Sequence, residues 1–319
     1  MDSFYIGFDI SKLTIDYAYQ IDKVKWVSRK IKYTNESIKN LVEDLPFNCI
    51  CVMEATGPYY LRLANFLFAN NFKVCVVNPL VIKRFSQMKL LRTKTDKADA
   101  KTICLYGIEQ KPTLWQPKED SIHSIRQKLS TQKLFTKQRT VFLNKLESLV
   151  QDENADKTCV KMVKQEIRNI NSKISKLEKE VEDIILKFYK KEYKLLITIP
   201  GIGMKTASTL IAITSCFELF SSHRKLASYI GLCPRIYESG TSVRGKASIC
   251  KVGMGRMRQL LYLAALSAIK SNKPCEALYK RLLNKGKPKR VALVAVANKL
   301  LRQTFGVISN NLPYYEFSY

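Results

Sequence analysis

The chain has 319 residues, 46% of them hydrophobic and 10% aromatic, with 54 Lys and Arg against 27 Asp and Glu, a formal net charge of +27. This apolar content excludes a disordered chain, the length suits two domains with a connector, and the charge points to a polyanionic partner. The longest apolar stretch, Leu260 to Ile269, is interrupted by Ser267 and is shorter than the roughly 20 residues a membrane span needs. With no basic-then-apolar leader at its start, the chain is expected to be cytoplasmic, away from membranes.

In chain order, Phe4-Tyr5-Ile6-Gly7-Phe8 is a short apolar run ending at Asp9, and Leu13 to Tyr19 follows after a Ser11-Lys12 turn, a hairpin pattern. Lys30 to Tyr33 adds a third strand. Thr34-Asn35-Glu36 opens a helix with Ile38, Leu41, Val42 and Leu45 at helical spacing, and Cys49 to Met53 is a buried strand ending at Glu54. An amphipathic helix over Tyr59 to Asn70 and a strand over Phe72 to Val77 complete a βββαβα order with one further strand. That is the order of an α/β, RNase H-like sheet.

Asp9 and Glu54 stand at strand ends, and Asp96 and Asp99, three apart behind the helix-capping Thr95, share one helical face. Four carboxylates thus have a route to one site, the hard oxygen donors that a pair of divalent cations acting on a phosphodiester requires. Each also has an ordinary structural explanation as a turn residue or as a complement to a helix dipole, and Asp16 on the second strand is a lone Asp of that kind. Nine cysteines without a Cys-x-x-Cys pair, and His123 and His223 as the only histidines, imply neither a disulfide framework nor a zinc site.

Val160, Val163, Ile167, Ile170, Ile174, Leu177, Val181, Ile184 and Phe188 alternate at spacings of three and four, an unbroken heptad seam. Residues Ile122 to Val150 carry a looser helical pattern. The two helices either fold back on each other around Gln151 to Lys157 or pair between chains, and the seam itself carries no chemistry. The expected division is 1–110, 111–194 and 195–319: an α/β domain, a helical coiled-coil connector and a mostly α domain.

The last segment holds 19 basic side chains against four acids, Glu218, Glu238, Glu276 and Glu316. It suits neutralising phosphates, whereas the alternative is a merely solvated basic surface. Leu195 to Gly203 with Thr206-Ala207 and Leu210-Ile211-Ala212 is a helix-hairpin-helix signature, in which Gly201, Gly203 and Lys205 would face a phosphate, or else a plain helix-helix turn. Downstream lies a polar, Gly-punctuated loop containing Ser239, Ser242 and Ser248. Around it Arg235, Arg244, Lys246, Lys251, Arg256 and Arg258 could offset charge at a reacting phosphate. By residue chemistry alone the three serines are indistinguishable.

Ile6-Gly7-Phe8-Asp9, Met53-Glu54-Ala55-Thr56-Gly57-Pro58-Tyr59, Val77-Asn78-Pro79 and Arg92 to Ala100 closely resemble the DEDD transposases of bacterial insertion sequences, the family numbered one hundred and ten, relatives of the Piv and MooV DNA invertases. Pro200-Gly201-Ile202-Gly203, Gly231-Leu232-Cys233-Pro234-Arg235, Tyr237-Glu238-Ser239-Gly240 and Leu261-Tyr262-Leu263-Ala264-Ala265 resemble the same family's second domain. Cys250 before Lys251 departs from the Ser that relatives tend to have.

The resemblance implies a RuvC-like first domain in which Asp9, Glu54, Asp96 and Asp99 bind Mg²⁺, two ions per site, with Mn²⁺ an alternative. It implies that Ser239 is the nucleophile, forming a transient phosphoserine link to DNA. It further implies donor and target DNA as substrates, a guide (bridge) RNA pairing with both, and a homo-oligomer, dimer or tetramer, with a site shared between protomers. Two rivals are a water-using, metal-dependent junction resolvase with Ser239 a bystander, and a catalytically dead nucleic-acid chaperone.

Overall fold

In the first third of the chain, the alternating apolar runs become a mixed sheet covered by helices on both faces. The computed structural model describes residues 4–22, 24–46, 48–91, 95–117, 119–235, 238–239, 243–244, 248–250 and 252–315, which form two units, Met1–Pro117 and Lys118–Tyr319.

The first unit runs β1 (Phe4–Ile10), β2 (Thr14–Gln20), β3 (Trp26–Lys32), α1 (Asn35–Asp44), β4 (Cys49–Glu54), α2 (Tyr60–Ala69), β5 (Lys73–Val77), α3 (Pro79–Met88) and α4 (Asp96–Gln110). Its sheet has the order β3-β2-β1-β4-β5; β1, β2 and β3 pair antiparallel, while β4 runs parallel to β1 and to β5. This mixed five-stranded sheet is compatible with an RNase H-like domain. β3 begins at Trp26, earlier than the expected Lys30, because it pairs along the whole of β2. The basic stretch after Asn78 includes a separate helix: Asn78 accepts the Leu80 N–H and Pro79 opens α3.

Side-chain parity sorts the strands into two layers. Ile6, Phe8, Cys51 and Met53 pack with Ile38 and Leu41 of α1 and Leu63 and Leu67 of α2, whereas Tyr5, Val52 and Cys75 pack on Ile103 and Cys104 of α4. The second layer is unusually close. A Cβ at Gly7 would lie 2.2 Å from the Ala100 carbonyl oxygen and 2.3 Å from the Cys104 nitrogen, and one at Gly107 would lie 2.7 Å from Val52 Cγ2. Cys104 Sγ donates to the Tyr5 carbonyl at 3.2 Å. The α4 backbone therefore rests directly on β1.

The second unit opens with α5 (Asp120–Val150) and α6 (Lys157–Phe188), an antiparallel hairpin within one chain. Gln132 Nε2 donates to Glu178 Oε1 at 2.6 Å, and Lys128 pairs with Glu180. Of the heptad positions, Ile170, Ile174 and Val181 are buried, but at the base Ile185 is fully buried while Phe188 is 56% exposed. A straight helix drifts about 20° per heptad away from a 3.5-residue seam, so the buried stripe shifts by a residue.

α7 (Lys190–Ile197), α8 (Met204–Thr214), α9 (His223–Ile230), α10 (Gly255–Ser271), α11 (Lys273–Asn284) and α12 (Lys289–Asn310) complete the unit, with four two-residue strands between α9 and α10. The hairpin base joins their core through Ile122, Ile125, Leu129, Val181 and Ile185. Arg126 donates to the Ala212 and Ile213 carbonyls, at 2.6 and 2.9 Å, at the end of α8.

By length and mean hydropathy of 1.4, α12 could cross a membrane, although the longest apolar run of the sequence, Leu260 to Ile269, lies in α10. One side of it, including Leu293, Val296, Ala297, Leu300 and Leu301, is buried in the core, which accounts for its apolar content.

Gly7→Ala should destabilise the first unit by about 3 kcal/mol through overpacking against the α4 backbone. Both tryptophans, Trp26 and Trp115, lie in that unit, so tryptophan fluorescence in urea reports on it directly.

Candidate functional site

Register and parity bring the acidic residues to one end and one face of the sheet. Phe8 pairs with Met53 in the parallel β1–β4 ladder, so the next residues, Asp9 and Glu54, are neighbours. Asp9 has the parity of Tyr5 and Gly7, and Glu54 that of Val52; both therefore face α4. Thr95 caps α4, accepting the Ala98 N–H at 3.1 Å, and places Asp96 and Asp99 in its first turn. Thr56 Oγ1 donates to Glu54 Oε1.

These groups feel one another. The Asp9 carboxyl is pushed up to about 6, first by burial and then by the negative charges of Asp99, Asp96, Glu54 and Asp16. The structure thus brings together all four expected carboxylates and adds a fifth. Asp16 pairs directly with Asp9 across the β1–β2 hairpin and is 7% exposed. The signal for it was the hairpin itself: a turn over residues 11–14 makes Ile10 and Ile15 partners and therefore Asp9 and Asp16 the next pair.

Lys30 also went unnoticed in the sequence. Its ammonium lies 3.2 Å from Asp16 Oδ2 and 3.3 Å from Asp96 Oδ2, and these bonds raise its pKa. Among the described residues, no three His, Cys, Asp or Glu side chains are closed into a cation cage. The donor set is nonetheless all hard oxygen, and the potential that lifts Asp9 is one that a divalent cation would relieve. The residues fit such an ion in chemistry, in a more open arrangement than a filled coordination shell.

In the second unit, residues 198–203 link α7 and α8. Gly201 has φ +100° and a Cβ there would lie 2.7 Å from Ala268 Cβ, so this glycine serves both the turn and its contact with α10. Gly203, with φ −90°, is the N-cap of α8 and has open space around it. Lys205 is half exposed, 3.8 Å from Glu178.

The expected loop after α9 is a β-hairpin: β6 (Pro234–Arg235) pairs with β9 (Ser248–Ile249), and β7 (Glu238–Ser239) with β8 (Val243–Arg244). Ser239 stands opposite Val243, and Arg244 opposite Glu238. The feet of this hairpin are clamped, since a Cβ at Gly231 would lie 2.3 Å from the Val252 carbonyl and one at Gly253 2.4 Å from that of Tyr229. Ser242, Lys246 and Lys251 lie outside the described residues.

Two of the expected phosphate-facing cations have internal partners instead. Arg256 donates to the Leu129 carbonyl of α5, and burial lowers its pKa. Arg258 Nη1 donates to the Ile230 carbonyl at 2.8 Å, at the foot of the hairpin.

Comparison with known proteins adds the family context. A DEDD transposase model matches residues 6–154, and the model described as Transposase IS116/IS110/IS902 family matches residues 193–280. The pilin gene-inverting protein of Moraxella lacunata is 31% identical over 327 aligned residues, 98% of each chain, and that of Moraxella bovis is 30% identical over the same shares. The transposase for insertion sequence element IS1111A of Coxiella burnetii is 22% identical, covering 91% of this chain and 87% of its own.

A raised carboxylate pKa means that stability is lost as pH climbs from the ordinary value near 3.8 to about 6, because the folded state holds its proton more tightly than the unfolded chain does. In metal-free buffer, Asp9→Asn should therefore melt at a higher temperature than the parent at pH 8. The difference should shrink steadily as pH falls toward 3.8. Equal melting at pH 8 would show that Asp9 carries no such burden.

Proposed function

Because this chain belongs to the IS116/IS110/IS902 family of transposases and is accordingly a DNA-recombining enzyme, we propose that it cuts and rejoins insertion-sequence DNA with a carboxylate-held metal site and a serine nucleophile. The observation that carries the reading is the gathering of Asp9, Glu54, Asp96 and Asp99 at the end of β1 and β4 beneath α4, where burial first, and then the charges of Asp99, Asp96, Glu54 and Asp16, push Asp9 up to about 6.

The four carboxylates are the proposed ligands, in a RuvC-like domain, and Mg²⁺, two ions with Mn²⁺ as substitute, is the proposed metal. When bound, such ions polarise the scissile phosphate and favour loss of the attacking hydroxyl's proton. Thr56 fixes one oxygen of Glu54. Ser239 Oγ is the proposed nucleophile. Its bond to phosphorus replaces one P–O bond of the strand, and the departing sugar oxygen takes a proton. A hydroxyl of the recipient strand then attacks the phosphoserine and restores the serine. The backbone clamp at Gly231 and Gly253 supports this reading by fixing the base of the hairpin that bears Ser239.

The division into residues 1–110, 111–194 and 195–319 assigns metal chemistry to the first part, spacing to the helical hairpin and serine chemistry to the last. The last part's 19 basic and four acidic residues support contact with nucleic-acid backbones through Gly201, Gly203, Lys205, Arg235, Arg244, Lys246 and Lys251. Arg256 and Arg258 act there through the framework they brace. Sequence choice is proposed to rest with a guide RNA paired to donor and target DNA, the protein acting in the cytoplasm as a homo-oligomer.

A two-plasmid recombination assay tests the proposal. Ser239→Ala should abolish both strand joining and the covalent protein–DNA adduct that denaturing gels trap, and Asp99→Ala should abolish joining. Normal joining by Ser239→Ala would overturn the nucleophile and favour water attack, as in a junction resolvase.

A further inference from the structure

Asp9, Asp16 and Lys30 are successive partners across β1, β2 and β3, so their side chains form a row on one face of the sheet. A nearly buried Asp16 opposite Asp9 is a poor choice for stability alone, because like charges directly across a ladder repel. Asp16 does, however, anchor the Lys30 ammonium, and that ammonium bonds a single oxygen of Asp96, leaving Oδ1 of the carboxylate available. Asp96 is the first residue of α4 with its side chain 60% exposed, where an untethered carboxylate would sample several rotamers. The Lys30 side chain is itself 53% exposed, so its repulsion of a nearby cation is screened by solvent.

We propose that Asp16 and Lys30 are a positioning pair that holds the Asp96 carboxylate in place for the divalent cation. This rests on the metal-site reading above. Neither residue touches the DNA phosphate or the ion in this assignment; they act through Asp96, as outer-shell partners orient metal ligands elsewhere, where their loss costs about 10- to 100-fold in affinity.

The test is titration of Mn²⁺ into the metal-free full-length protein, free ion being followed by electron paramagnetic resonance, alongside amide exchange over residues 96–99. Lys30→Met should weaken Mn²⁺ binding by about 10-fold or more and speed exchange at the start of α4. Lys30→Arg should restore most of the affinity. Asp16→Asn, which keeps the shape of the side chain and removes its charge, should fall between Lys30→Met and the parent. Asp99→Asn is the control for the metal site. If the parent binds Mn²⁺ and Asp99→Asn loses it, but Lys30→Met binds as the parent does, the positioning pair alone is overturned. Tighter binding by Lys30→Met, the behaviour of a lysine that competes with the metal, also overturns it. If the parent binds no Mn²⁺, or binding ignores Asp9→Asn and Asp99→Asn together, the metal site fails and takes the pair with it.

Discussion

A hydrogen atom in place of a side chain at Gly7 lets the backbone of α4 lie against the centre of β1, and the candidate site depends on that approach. The contact runs from Ala100 to Cys104, immediately after Asp99, and is fastened by the Cys104 thiol on the Tyr5 carbonyl and by the second close approach at Gly107. Lifted by the width of one methyl group, the first turn of α4 would carry Asp96 and Asp99 away from Asp9 and Glu54. The sheet supplies the other half of the geometry. Parallel pairing of β1 with β4 sets two carboxylates side by side, and antiparallel pairing with β2 and β3 sets Asp16 and Lys30 beside them.

The same packing creates the electrostatic problem that gives the site its character. Five carboxylates share one corner, and Asp9, raised first by its own burial and then by the charge of the other four, holds its proton to about 6. Folding energy from the apolar layers on both faces of the sheet keeps the group together despite this repulsion. A divalent cation would relieve it, which is the role proposed for the cluster.

Much of this was legible in the sequence, since it follows from local rules. Strand-end acids show in apolar runs ending at Asp9 and Glu54, the caps at Thr34 and Thr95 show in polar residues before helical spacing, and the α6 seam shows in its heptads. What escaped depended on partners distant in the chain. Lys30 meets Asp96 across 66 residues and Arg256 reaches Leu129 across 127, and no local pattern marks a lysine or arginine as bound internally rather than facing phosphate. The hairpin around Ser239 read as a loop because its strands are two residues long and flanked by glycine and serine. α12 escaped a search for uninterrupted apolar runs because Lys299 and Arg302 divide a helix whose apolar side is continuous only in three dimensions.

The central claim, that α4 presses its acids onto Asp9, is tested most directly by the titration of Asp9 itself. Carbon NMR of the side-chain carboxyl in metal-free protein should give a midpoint near 6, falling toward the ordinary range in Asp99→Asn as the largest charge contribution is removed. An Asp9 that titrates near 3.8 in the parent and ignores the Asp99 substitution would contradict the account.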